Sequence, residues 1–129
     1  MFEVIALMLL SHQPLQPVAV GEASFYTIAS SSNWTASGER MKNEAFTCAM
    51  NTGEFGDYVL VVAENGKSVV CRLNDRGPFV KGRVIDLSQA AMRELSPGAG
   101  TANVSVYRLG RNAPASPPFL KLGINSRLV

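Results

Sequence analysis

Histidine is almost missing from this chain. Its one imidazole, His12, falls in a leading segment that shares no pattern with the rest of the sequence. Beyond that segment there is no imidazole for a Ser-His or Cys-His nucleophile pair and no His/Cys spacing for zinc. No glycine-rich phosphate loop is present. Twelve basic against ten acidic residues leave a charge of only +2, and no basic run accompanies it, which argues against a nucleic-acid partner. The N-terminal apolar run, Val4 to Leu10, has seven residues. That is far too short to span a bilayer and sits at the short limit of a signal-peptide core. Residues 1–20 read as a leader, which places the protein outside the cytoplasm, and no cysteine near position 20 offers a lipid attachment point.

Cysteine is scarce too. Cys48 and Cys71 are the two present, both in apolar, strand-like surroundings. In an exported small domain an even count suggests one disulfide, worth about 3 kcal/mol by the chain-entropy model. The alternative is two buried free thiols. The expectation here is a Cys48–Cys71 bridge.

What the chain does have is the profile of one globular domain: 129 residues, 47% of them apolar and 17% charged. Short strands and glycines fill its middle. Gly21 to Tyr26 reads as a first strand, and Ser30 to Ser37 as a polar loop carrying the only tryptophan, Trp34. Ala45 to Met50 is a short apolar segment. Tyr58 to Ala63 and Ser68 to Leu73 flank Asn65-Gly66, a strong hairpin signal. Val84 to Leu87 is a further strand. Asp86 with Gln89 offers a capping-box start for a helix over Ser88 to Leu95, stopped by Ser96-Pro97-Gly98. Thr101 to Leu109 alternates as a last strand, and residues 110–129 form a proline-rich tail. Several short strands plus one helix point to a small barrel, with the domain at residues 21–109.

With imidazole gone, proton transfer falls to carboxylates. Asp75 stands where a strand breaks into Asn74-Asp75-Arg76-Gly77-Pro78, an acid on a rigid support facing solvent or ligand. The same residues are also the ordinary ones of tight turns. Glu39 lies in a polar loop beside Trp34. Asp86 reads as structural, accepting backbone N–H bonds at the helix start. A carboxylic acid held partly away from water can donate a proton to a glycosidic oxygen, help worth roughly 10²–10⁴-fold. Aromatic residues near the acids, among them Tyr26, Trp34 and Phe79, are sugar-stacking platforms or core.

Gly21 to Tyr26, Thr35-Ala36-Ser37-Gly38-Glu39, Phe55-Gly56, and Asn74 to Phe79 through Gly82 to Ser88 together resemble the rare lipoprotein A family. The resemblance runs in order from about Gly21 to Leu109. It implies an all-β fold, a six-stranded double-psi β-barrel with one short helix. It implies an envelope protein of bacteria, a lytic transglycosylase that cuts between N-acetylmuramic acid and N-acetylglucosamine and leaves a 1,6-anhydro end. Peptidoglycan glycan strands would be its partner, the chain acting as a monomer without metal or organic cofactor. Asp75 matches the family's aspartate in its NDRGP motif, and Glu39 the glutamate of TASGE, making these two the expected catalytic residues. The family's histidine position falls on Met50, whose thioether cannot transfer a proton. Arg76, Trp34, Tyr26, Phe79 and Met50 are the expected substrate contacts. The rival expectation is a wall-binding or loosening module of expansin type that uses the same groove without cutting. A barwin-like defence or inhibitor protein shares the fold but fewer motifs.

Overall fold

A computed structural model describes residues 16–27 and 33–113. His12, most of the leader and nearly all of the proline-rich tail lie outside these residues. Six strands, β1 (Ala19–Phe25), β2 (Thr47–Ala49), β3 (Tyr58–Ala63), β4 (Ser68–Asp75), β5 (Arg83–Leu87) and β6 (Thr101–Gly110), close in the order β1-β5-β2-β4-β3-β6. β1 runs parallel to β5 and β2 parallel to β4, while the other neighbours are antiparallel. One helix, α1 (Gln89–Leu95), follows β5. Among the described residues this is the six-stranded double-psi barrel with one short helix that the motif set implies. β1 begins at Ala19, two residues inside the segment read as leader.

The period of two along each strand decides what is inside. Val59 and Val61 of β3, Cys71 and Leu73 of β4, Ile85 and Leu87 of β5, and Val104 and Val106 of β6 form one buried cluster. Ala91, Met92 and Leu95 of α1 join it. Burying each branched side chain of this kind contributes about 1.5–3 kcal/mol. The hairpin forms as its Asn-Gly predicts. Gly66 takes a φ of +89°, its N–H donates to the Ala63 carbonyl at 2.9 Å, and the Asn65 side chain accepts from the Lys67 N–H at 2.8 Å. Such a φ favours glycine because it has no Cβ to clash.

The helix start differs from expectation. Ser88 is the N-cap, its Oγ accepting from the Ala91 N–H at 3.3 Å. A hydroxyl next to the first helical residue outcompetes an acid two residues further back, which still belongs to the strand. Asp86 is thereby released from the capping role read into it.

Candidate active site

Four residues lie in one row across four strands. Ser24 of β1 pairs with Asp86 of β5, Asp86 with Ala49 of β2, and Ala49 with Asp75 of β4. Directly paired residues share a sheet face. Here that face lies away from the core, because Ile85 and Leu87 on either side of Asp86, and Cys48 and Met50 on either side of Ala49, belong to the buried cluster. All four line a groove of about 360 Å³. Its size falls within the usual range for a binding cleft.

Asp75 reaches this row through an irregularity. Cys48 pairs with Leu73, yet the next residue, Ala49, pairs with Asp75. Asn74 is the extra residue, a β-bulge in β4. Without it, alternation would place Asn74 opposite Ala49 and turn Asp75 toward the core. Bulges commonly re-aim a side chain in this way beside functional sites.

The acid is then clamped from two sides. Asp75 Oδ1 accepts the Ala36 N–H and the Arg76 N–H, each at 2.9 Å. Among the described residues no donor reaches Oδ2. The Ser37 N–H donates to the Asn74 carbonyl at 3.1 Å, so the 35–38 turn holds the end of β4 through backbone bonds at two successive residues. Tyr26 forms part of the groove wall, its hydroxyl 3.0 Å from Thr47 Oγ1. Burial pushes that phenol well above its ordinary pKa, so it is a neutral hydroxyl. Phe79 stands at the lip with 84% of its surface exposed, after the cis Gly77–Pro78 bond.

Other expected contacts are placed elsewhere. Arg76 borders the groove, but its guanidinium donates to the carbonyls of Met50 and Thr52 at 3.2 Å and of Gly53 at 2.7 Å, and stacks 4.3 Å from the Phe55 ring centroid. A planar fork with five donors suits such a cluster of carbonyls, and it fastens the 50–55 loop to β4. Its guanidinium thus clamps a loop while the residue also lines the groove in which a sugar contact was expected. Met50 is 4% exposed and packs in the core cluster, where an unbranched apolar thioether belongs. The side chain expected against substrate therefore lies within the core cluster and is not among the residues lining the groove. Trp34 is exposed, with Arg40 4.9 Å over its ring, and does not line the groove.

Glu39 also lies outside the groove. It pairs with Arg72 in a two-pronged contact of 2.9 and 3.0 Å and lines a neighbouring basin with Arg40, Lys42 and Asn74. Hydrogen bonding to Arg72 holds its carboxyl below the ordinary glutamate value, with Asn74 and Ser37 adding to the effect. The expected Cys48–Cys71 bridge is not formed, and both are buried free thiols. Burial pushes the Cys48 thiol well up, and its hydrogen bond with Cys71 adds to this, so it is a protonated core group.

Sequence reasoning missed Ser24 and Asp86 as groove residues. Ser24 Oγ donates to Asp86 Oδ1, across 62 positions of sequence. One signal was available, since Ile85 and Leu87 as core residues force Asp86 onto the opposite face. Among the described residues no group of three or more His, Cys, Asp or Glu side chains gathers to hold a metal ion. Nor is any described helix long and apolar enough to cross a membrane.

A closed double-psi barrel with an acid-lined surface groove is the class that this geometry defines. Residues 18–106 match the family described as lytic transglycolase, and the chain belongs to that family. It is 41% identical over 117 residues to the endolytic peptidoglycan transglycosylase RlpA of Pasteurella multocida, covering 84% of this chain and 40% of that protein. It is 53% identical over 79 residues to the probable endolytic peptidoglycan transglycosylase RlpA of Nostoc, covering 60% of this chain and 21% of the relative. The chain thus spans less than half the length of either. Among solved structures, Streptomyces papain inhibitor superposes with a TM-score of 0.58 at 22% identity, covering 74% of this chain and 96% of that one. A Clavibacter michiganensis expansin gives 0.56 at 20% identity, covering 76% and 52%. These two share the fold.

Proposed function

We propose that the chain is a lytic transglycosylase of the bacterial cell envelope, with peptidoglycan glycan strands as substrate and Asp75 as the group that protonates the scissile oxygen. One observation carries this reading. A bulge turns Asp75 into an open groove, where backbone donors hold one carboxylate oxygen and no described donor reaches the other. Family membership and the names of the relatives support the substrate class.

The reaction follows from general acid chemistry. Asp75 gives its proton to the oxygen joining N-acetylmuramic acid to N-acetylglucosamine. The C1–O bond breaks and leaves an oxocarbenium-like centre. The C6 hydroxyl of the same muramic residue attacks C1, loses its proton to a carboxylate and closes the 1,6-anhydro ring. No external water enters, so the chemistry differs from that of glycosidases that activate water between two carboxyl groups. Phe79 offers an aromatic face at the lip, and Tyr26 shapes the wall. Glu39 acts at a distance: paired with Arg72, it steadies the turn that supplies the Ala36 N–H to Asp75.

Digestion of peptide-free glycan strands by the full chain, read by mass spectrometry, tests the reading. New 1,6-anhydro ends that vanish in Asp75→Asn are expected. Tight binding with no new ends would instead identify a non-cutting module, the reading favoured by the absence of an imidazole at position 50.

A further inference from the structure

Asp75 is not alone in the groove, and the second acid there is not the helix cap it was expected to be. Asp86 was the expected helix cap, but Ser88 fills that position. The strand pattern needs nothing charged at position 86, since its neighbours Ile85 and Leu87 supply the core contacts. Instead Asp86 shares the groove face with Asp75, the two flanking Ala49 on either side. Ala49 has only a methyl group to interpose. Two strand spacings set the acids' backbones about 9–10 Å apart. Side chains reaching toward a common ligand from such positions can address two atoms of one sugar unit. Ser24 Oγ–H, from the third strand of the row, donates to Asp86 Oδ1.

We infer that Asp86, oriented by Ser24, is the second catalytic carboxylate of this groove: it takes the proton from the muramic C6 hydroxyl while Asp75 gives one to the leaving oxygen. This rests on the transglycosylase reading and divides its two proton transfers between two groups. The balance closes. Asp75 begins protonated and ends as carboxylate; Asp86 begins as carboxylate and ends protonated. The C1–O bond to N-acetylglucosamine breaks, the C1–O6 bond forms, and exchange with solvent restores the starting state. The inference also accounts for a working site without an imidazole, because Met50 lies in the core and no histidine occurs among the described residues.

The charged and titratable groups facing Asp86 across the groove are Asp75, Arg76, Arg83 and Tyr26. Arg76 is committed to loop carbonyls, and Arg83 Nε pairs with Glu22 at 3.2 Å. Neither is positioned here as a proton acceptor, because guanidinium stays charged. An acid and a base acting in one step give a rate that rises and then falls with pH.

The test measures kcat/KM for anhydro-end formation across pH in the full chain and in Asp86→Asn, Ser24→Ala and Asp75→Asn, with thermal melting as the check on folding. Asp86→Asn keeps shape and the Ser24 contact. It should lose about 10²-fold or more in rate and lose the ascending limb of the profile. Ser24→Ala should lose about tenfold and keep both limbs, since one hydrogen bond that orients a charged group is worth roughly that factor. A purely structural Asp86 would lower melting temperature and leave the profile's shape intact, which would overturn the inference. Wild-type rate in a folded Asp86→Asn, with Asp75→Asn inactive, would overturn it and leave the proposed function standing. A wild-type chain that binds strands but makes no anhydro ends would overturn both.

Discussion

Asp75 and Glu39, the two acids that the family resemblance marks, lie on opposite sides of one short turn and are held in opposite ways. Among the described residues Asp75 accepts only backbone N–H groups, both on the same oxygen, and it lines the groove. Glu39 gives both oxygens to the Arg72 guanidinium and faces a separate basin. A carboxylate satisfied on one oxygen by fixed dipoles is oriented and still available. A carboxylate matched by a two-pronged cation is spent on geometry. The turn between them links the two, because residues 36 and 37 bond to Asp75 and Asn74. On the proposed function, the difference fits chemistry at Asp75 and support at Glu39.

The comparison breaks first at Asp75. Asp75→Asn should cut the cleavage rate by roughly 10²–10⁴-fold, the usual worth of a general acid, while thermal melting stays near wild type. An equal loss of stability and rate would show the acid to be part of its own turn. Glu39→Gln should cost less, between about tenfold and 10²-fold, through slackened positioning of Asp75. Its pH profile should keep the wild-type shape, and a lost limb would make Glu39 a proton carrier after all.

Met50→His sharpens the contrast between groove and core. A neutral imidazole among apolar side chains, without a guaranteed partner, should destabilise the barrel by about 1–3 kcal/mol and leave the rate per folded molecule unchanged. Denaturant unfolding beside the cleavage assay checks this, and a raised rate would show that position 50 reaches substrate. Cys48 and Cys71 should resist thiol reagents in the native protein and both label in denaturant without reductant. Failure to label there would reveal a bridge.

The smallest effect concerns acid stability. Glu39 has its pKa depressed in the fold, chiefly by Arg72. Its contribution is therefore complete above the unfolded-state value near about 4.3 and is lost as pH falls through the lower folded value. Both partners are partly exposed, at 33% for Arg72 and 42% for Glu39, so solvent limits the term to under about 1 kcal/mol. Glu39→Gln should unfold with a slightly shallower pH dependence over that acid range, and an unchanged dependence would remove the pair from the account.

Local chemistry was what the sequence made legible. Asn65-Gly66 announced its hairpin and Ser96-Pro97-Gly98 its helix stop, because these signals act within a few residues. The strand break at Asn74 to Pro78 likewise marked Asp75. The row Ser24–Asp86–Ala49–Asp75 was not legible, since it depends on register between strands far apart in the chain and on a bulge at Asn74. The clamp that Arg76 forms was hidden for a related reason. Its partners are carbonyls of a loop more than twenty positions away, and no spacing in the sequence brings that loop alongside.

The most direct measurement is mass spectrometry of peptide-free glycan strands after incubation with the folded wild-type chain and with Asp75→Asn. New 1,6-anhydro muramic ends from the wild type and none from the variant are predicted. Equal yields of those ends from both proteins would contradict the assignment of Asp75.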